Sequence, residues 1–241
     1  MNTTKYHIAN RINQELLKYT PYDLKIRIPD SNIDVASIGL NLVKESQNKI
    51  RLVQVGACDG STGDPVNQQL RTGSVDAVVV EPVYENYLAL KQSYNGVNNV
   101  VAVHAAIGKK DGKANFYKVK NEGRWIDSSY AKQLGSFNVN HLERHGVQCS
   151  EIEVIDVTVF TLETLMQNNN ISNIDFLLVD TEGYDAEIIN MALDIDNPPN
   201  ILCFEYIHLA KNEISNLFNR FEKMSYKWIH DSMNTLAIRN L

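Results

Sequence analysis

Cysteine is scarce in this chain. The 241 residues hold three, Cys58, Cys149 and Cys203, odd in number and far apart. That excludes a disulfide framework and any Cys-x-x-Cys metal site; Cys203, within ILCFEY, reads as a small buried hydrophobe. Long apolar runs are also lacking, since no stretch approaches the ~18 residues of a membrane span. The N-terminal MNTTKYHIANRINQELLKYT alternates apolar and polar residues where a signal peptide needs an unbroken apolar core. No membrane partner is expected, and the expected location is cytoplasmic. No Lys/Arg run could neutralise a row of phosphates, because the acids and bases behind the formal charge of −6 are mixed along the chain, so nucleic acid is not an expected partner. Internal repeats and low-complexity linkers are absent too. With 44% hydrophobic and 22% charged residues the chain is neither disordered nor collagen-like, and at this length residues 1–241 are expected to form a single domain.

What is present is a run of short apolar segments. The first 50 residues read as a helical cover: Ile8, Ile12 and Leu16 recur at four-residue spacing, and Asp30-Ser31 can cap a second helix carrying Ile38 and Leu42. From residue 51 the segments alternate with amphipathic stretches, the pattern of a parallel sheet with crossover helices. Strands are expected at Leu52–Gly56, Ala77–Glu81, Val100–Ala105, Phe176–Asp180 and Ile201–Tyr206. Asp64-Pro65 is a helix-start signal, Asn168-Asn169-Asn170 marks a turn, and Ile214, Leu217, Phe218 and Phe221 form the apolar stripe of a helix packed on the sheet. Two β-like segments around Asp231 to Asn234 signal a closing hairpin. The fold class is therefore α/β, with a doubly wound, mostly parallel seven-stranded sheet and a C-terminal antiparallel hairpin.

Residues 107–174 are too many for one crossover. They offer a hairpin around Gly112, with strand-like NFYKV following, and then GRWIDSSYAKQLGSFNVNHLERHG, which has no clean periodicity. An excursion over the carboxyl edge of the strands is expected, where open α/β sheets bind ligands. Ser128 and Ser129 are its candidate substrate or cofactor contacts. Trp125, Tyr130 and Phe137 could cover a pocket, although a small satellite core is the favoured reading. His141 and His145 have the i, i+4 spacing of helical metal ligands, but the neighbouring sequence offers no third ligand, which favours a solvated helix face.

The strongest chemical signal is Val53-Gln54-Val55-Gly56-Ala57-Cys58-Asp59-Gly60, a strand entering a small-residue turn that opens toward a helix. Such a turn lets backbone approach a ligand closely. Glu81 ends the next strand about 20 residues after the turn, where an acid can accept hydrogen bonds from ribose hydroxyls. A dinucleotide would need glycines where Cys58 and Ser61 stand. S-adenosylmethionine has no phosphate to accommodate, and its ammonium tolerates an acid such as Asp59, so the methyl donor is the better match.

These residues resemble the FkbM-type methyltransferases. The family turn V-G-A-x-x-G matches Val55 to Gly60, its Glu-Pro matches Glu81-Pro82, and Ala105-Ala106-Ile107-Gly108 follows. VTVFTL at Val157 to Leu162, with Leu165 after it, and Asp180-Thr181-Glu182-Gly183-Tyr184-Asp185, a D-x-E-G-x-[DE] motif, complete the series. Two positions depart: family members usually carry Asp at Gln54 and often Asn at Cys58. The resemblance implies a Rossmann-like class I methyltransferase fold, S-adenosyl-L-methionine as cofactor, and O-methylation of a hydroxyl on a sugar or small natural product. It places Gly56, Ala57, Cys58, Asp59, Gly60, Glu81, Pro82 and Asp180 at the cofactor, with Ala106 and Ile107 either against adenine or in ordinary strand-end packing. Residues 51–105 would be the cofactor-binding half and 175–241 the half carrying the catalytic loop.

In a doubly wound sheet the loop after the fourth strand faces the transferable methyl. Asp180, Glu182 and Asp185 lie there, and three acids so close must be protonated, solvated or bound to a cation. Asp180 or Glu182 is the expected general base, or the pair holds a divalent metal that acidifies the acceptor hydroxyl. His208 is the other candidate base, and Glu205 a candidate substrate contact. Asp185 reads first as the N-cap of the following helix and second as a substrate contact. Two alternatives stay open: a dinucleotide-dependent oxidoreductase or nucleotide-sugar enzyme, and a catalytically silent binding module on the same fold.

Overall fold

The structure, a computed structural model, describes residues 34–46, 50–73 and 75–239. The expected helix through Ile8, Ile12 and Leu16 and the Asp30-Ser31 cap lie outside them. In chain order the elements are α1 (Val35–Ser46), β1 (Ile50–Val55), α2 (Asn67–Arg71), β2 (Val75–Glu81), α3 (Tyr84–Ser93), β3 (Val100–His104), β4 (Ala106–Ile107) and β5 (Gly112–Val119). Then come α4 (Ser129–Gln133), α5 (Val139–Arg144), β6 (Ile152–Phe160), α6 (Leu162–Asn168), β7 (Phe176–Val179), α7 (Asp185–Asp194), β8 (Ile201–Glu205), α8 (Lys211–Lys223), β9 (Lys227–His230) and β10 (Asn234–Ile238).

Seven strands form one sheet in the order β3-β2-β1-β7-β8-β10-β9. All pairs are parallel except those of β10, which runs antiparallel to β8 and β9. Alternation along each strand sends side chains to two cores. Val53, Val55, Leu177, Val179, Leu202 and Phe204 pack under α6, α7 and α8, with Leu217 and Phe221 of the expected stripe fully buried among them. Leu52, Phe176, Leu178, Ile201 and Cys203 face α1 and α3 on the other side, so Cys203 is the buried hydrophobe its context suggested. Asp231 accepts the Met233 and Asn234 amides at the hairpin turn (2.8 and 2.6 Å), as expected.

Four expectations need correction. β1 and β2 begin two residues earlier than read, and Gly56, Ala105, Asp180 and Tyr206 leave the ladder as loop residues. α1 is capped by Asp34, whose Oδ1 accepts the Ala36 amide at 2.9 Å. Asp64-Pro65 starts a turn, not a helix: the Asp64 carboxylate accepts the Val66 amide at 2.9 Å, and α2 begins at Asn67. Finally, β4 and β5 do not form a hairpin around Gly112. Both pair with β6, β4 in parallel and β5 antiparallel, in a second sheet ordered β4-β6-β5. Val157 and Val159 of β6 fill the space between Ala106 and Phe116, which a direct β4–β5 pair would leave open.

The chain reverses its winding direction between β1 and β7, and at that switch point Gly56 turns at φ +84°, donating its N–H to the Val80 carbonyl at 3.0 Å. A Cβ there would stand 1.7 Å from the Asp180 carbonyl oxygen, so only glycine fits. Gly56→Ala is expected to cost about 3 kcal/mol or more in urea unfolding. Gly63→Ala, also at positive φ (+70°) but with nothing within 4 Å of its added carbon, should cost only ~1–2 kcal/mol. Equal losses would mean that the backbone approach at Gly56 is not tight.

Candidate active site at the β1 and β7 switch point

A cavity of about 520 Å³ opens at the carboxyl ends of β1, β2, β7 and β8, within the ~300–1,000 Å³ of small-molecule sites. Gly56, Ala57 and Cys58 form one wall, Glu81 and Pro82 another, Ala106 and Ile107 a third, and Asp180, Glu182 and Glu205 the far end. Phe116 and Phe137 reach in from the excursion, edge to face at 5.2 Å.

Glu81 fixes the first two walls together. Its buried carboxylate accepts the Cys58 amide through Oε2 (3.0 Å) and the Val83 amide through Oε1 (2.8 Å). Burial raises its pKa to about 8, against the pull of those hydrogen bonds. The Cys58 thiol is driven up to about 12 by burial and by Glu81 and Asp59, so it stays protonated and is no nucleophile. Asp59 and Gly60 lie outside the cavity lining. Asp59 ties the turn by accepting from Ser61 and Thr62, backbone and hydroxyl alike. Partial burial pushes its pKa up, but these bonds outweigh it and leave the net shift downward. Gly60 presses against Leu90 and Tyr94 of the α3 segment.

Two further residues line the cavity, Gln54, met in the sequence only as a departure from the family's Asp, and Asp64, met only as a helix-start signal. Gln54 is buried with Oε1 unpartnered, and its Nε2 lies 3.4 Å from Asp64. Asp64 also accepts from the Tyr94 hydroxyl (3.0 Å), and burial raises its pKa. Together they set an unfilled acceptor and a carboxylate beside the turn.

At the far end, Asp180 leaves β7 with its carboxylate open to the cavity. Loss of solvation, then Asp185, Glu182 and Glu81, raises its pKa. Glu205 is pushed to about 9 by burial and then by Asp180, Glu182 and Asp185, and its Oε2 has no hydrogen-bond partner. Asp185 is not the N-cap expected of it. It is the first residue of α7, and its Oδ2 reaches back to the Thr181 and Gly183 amides (both 3.3 Å) and the Thr181 hydroxyl (3.0 Å). It pins the acid loop from behind, fully buried and off the cavity lining. Burial lifts its pKa to about 6.

The histidines overturn the reading of a solvated face. His141 is buried, with Nε2 2.7 Å from Glu182 Oε2. His208 Nε2 lies 3.6 Å from the same oxygen and 3.3 Å from Glu205 Oε2. The His145 ring is 4.6 Å from that of His141 and 5.2 Å from that of His208. The excursion is folded onto the acid loop by Ser136, which pairs with Tyr117 and donates its hydroxyl to the Glu182 carbonyl at 2.9 Å. That long-range contact supplies the third and fourth groups that the local sequence lacked.

Ser128 and Ser129 are not brought to the cavity. Ser128 Oγ caps α4, accepting the Ala131 amide at 3.2 Å, and Ser129 is exposed; Lys132, Gln133 and Gly135, just beyond, do line it. Trp125 packs with Val119, Leu134 and Leu142 as the favoured satellite core. Phe137 lines the cavity, and the Tyr130 hydroxyl lies 2.6 Å from His145 Nδ1.

Among solved structures the chain is similar to a human methyltransferase 10 domain containing protein, at 12% identity and TM-score 0.44, covering 99% of this chain and 98% of that one. An O-methyltransferase from Bacillus cereus in complex with SAH is similar at 8% identity and TM-score 0.40, covering 96% and 90%. Precorrin-6y C5,15-methyltransferase from Geobacter metallireducens gives 8% and 0.42, covering 88% and 92%. No curated protein matches. Residues 54–228, well over half of the chain and spanning the turn, Glu81 and the acid loop, match the family described as Methyltransferase FkbM domain. The chain thus belongs to the FkbM methyltransferase family and is an S-adenosylmethionine-dependent methyltransferase.

Proposed function

We propose that the cavity holds S-adenosylmethionine across the switch point and that the enzyme methylates a hydroxyl of a small molecule, such as a sugar. The observation that carries this is the acid-rich lining: six carboxyls (Asp34, Asp64, Glu81, Asp180, Glu182 and Glu205) against one lysine, Lys132, among the described residues, crowded so that a cation among them favours their ionised forms. A sulfonium donor that also carries an ammonium is attracted by such walls, whereas the pyrophosphate of a dinucleotide is repelled. Glu81 would take the ribose hydroxyls on the lone pairs its two amide donors leave free, and Ala106 and Ile107 would flank adenine. Gln54 Oε1 and Asp64 would receive the ammonium.

Transfer is an in-line displacement. A hydroxyl oxygen attacks the methyl carbon as the carbon–sulfur bond breaks, giving a methyl ether and S-adenosylhomocysteine, and the hydroxyl proton passes to a base. Holding the oxygen ~3 Å from the methyl accounts for most of the acceleration. Asp180 and Glu182 are our bases of choice: both line the far end of the cavity, and a carboxyl raised by burial, as that of Asp180 is, accepts a proton near neutral pH. His208, beside both Glu182 and Glu205, is the other candidate. A location in the cytoplasm suits this reading; no helix among the described residues is long and apolar enough to cross a membrane.

Isotope-labelled donor offered with paired hydroxyl and amine acceptors tests the reading. The label is expected in an ether, and label found only on nitrogen or carbon would contradict it. Glu182→Gln should lower turnover by about 100-fold or more while the affinity for S-adenosylhomocysteine stays nearly intact; wild-type turnover in that variant removes Glu182 as base. Stability offers a separate check on Glu81. Burial pushes its carboxyl up to about 8 in the folded state, from an ordinary value of 4.5, so between those values the folded state binds more protons than the unfolded one. The stability that the protonated group contributes is present below about 4.5 and lost as pH rises through about 8. The unfolding free energy of the ligand-free enzyme should therefore decline across that window, and Glu81→Gln should flatten the decline; an unchanged slope would place the titration elsewhere.

A further inference from the structure

We infer that His141, His145, His208 and Glu182 form a binding site for a borderline transition-metal dication, with zinc as its representative. The donor atoms of the four residues lie within 4.8 Å of one another. Adjacent ligands of one ion, each ~2.0–2.2 Å from it, stand about 3 Å apart, the scale of the 2.7 Å from His141 Nε2 to Glu182 Oε2 and the 3.6 Å from His208 Nε2 to the same oxygen.

The geometry of the closest pair is the second, independent observation. His141 Nε2 and Glu182 Oε2 are both fully buried, yet neither has a hydrogen-bond partner despite their 2.7 Å separation. A nitrogen and an oxygen so close normally align a hydrogen, since a buried polar atom left unpaired costs ~1–3 kcal/mol. Two atoms side by side, each aimed past the other, are arranged as ligands aimed at a shared third point. Glu205 Oε2, 3.3 Å from His208 Nε2, is orphaned in the same way and borders the same space.

The scaffold supports the same conclusion. Glu182 is held at φ +54°, a left-handed conformation that a non-glycine residue adopts only under constraint. Gly183 follows, and a carbon added there would stand 3.7 Å from His141 Nδ1 and 3.9 Å from His208 Cβ, so the turn runs between the two rings. Tyr130 holds one nitrogen of His145 at 2.6 Å, the kind of outer contact that orients a ligating imidazole.

Three imidazoles and one carboxylate select the metal class. Magnesium and calcium take oxygen donors, whereas imidazole-rich sets suit zinc, cobalt, nickel or iron(II). A dication held by Glu182 and His208 would leave Asp180 as the base for the acceptor hydroxyl, and it would clasp α5, the acid loop and the segment after β8 in one place.

The test uses the full-length enzyme without a histidine tag, stripped with chelator and titrated with Co²⁺, whose visible absorption reports nitrogen coordination. One equivalent is expected to bind with the appearance of ligand-field bands, and Zn²⁺ should displace it. His145→Ala, at the partly exposed rim, and His208→Ala should each weaken Co²⁺ binding at least about tenfold, while His104→Ala, outside the cluster, should leave it unchanged. Circular dichroism of each variant confirms folding. Absence of a stoichiometric cobalt spectrum in the folded wild type would overturn the site, as would undiminished binding in both cluster variants. Either result can be obtained whatever the methyl acceptor proves to be.

Discussion

The close approach of two backbones at the switch point is the constraint on which the rest depends. Gly56 turns out of β1 directly against the Asp180 carbonyl at the end of β7, with no room for a side chain between them. That contact joins the two halves of the sheet at the place where their helices diverge to opposite faces, so a crevice must open above it. The turn on one side and the acid loop on the other are consequently held at a fixed separation. Glu81 extends the arrangement by tying the turn to the segment after β2 through two amide hydrogen bonds.

Electrostatics gives the crevice its character. Glu81, Asp180, Asp185 and Glu205 all have raised pKa values, each chiefly from loss of solvation. Several carboxyls sharing one low-dielectric space destabilise one another's ionised forms, which makes the space receptive to positive charge. Two cations are proposed to use it at different places: a sulfonium between the turn and Asp180, and a metal ion between Glu182 and the three histidines. Asp185 serves neither directly; it keeps the loop bent so that Asp180 and Glu182 face forward.

The main sheet was legible because its strands are apolar on both faces and end in loop residues, a pattern that survives without knowledge of partners. Gly56 and Glu81 were legible for a similar reason, since a tight turn and an acid about 20 residues later belong to one βαβ unit. The excursion was not. β6 is the middle strand of the small sheet, but its neighbours come from residues far earlier in the chain, and no local pattern reveals which of them pair. The histidine cluster was hidden in the same way: its members sit on α5, after β7 and after β8, and meet only because Ser136 docks the excursion onto Glu182. Ser128 and Asp185 show the opposite error, polar residues near a site whose hydrogen bonds are spent on backbone.

A crystal structure of the enzyme with S-adenosylhomocysteine addresses the central claim most directly. The account predicts ribose hydroxyls on Glu81, adenine beside Ala106 and Ile107, and sulfur between the Gly56 turn and Asp180, facing Glu182. A ligand bound elsewhere, or one whose sulfur points away from the acid loop, would contradict it.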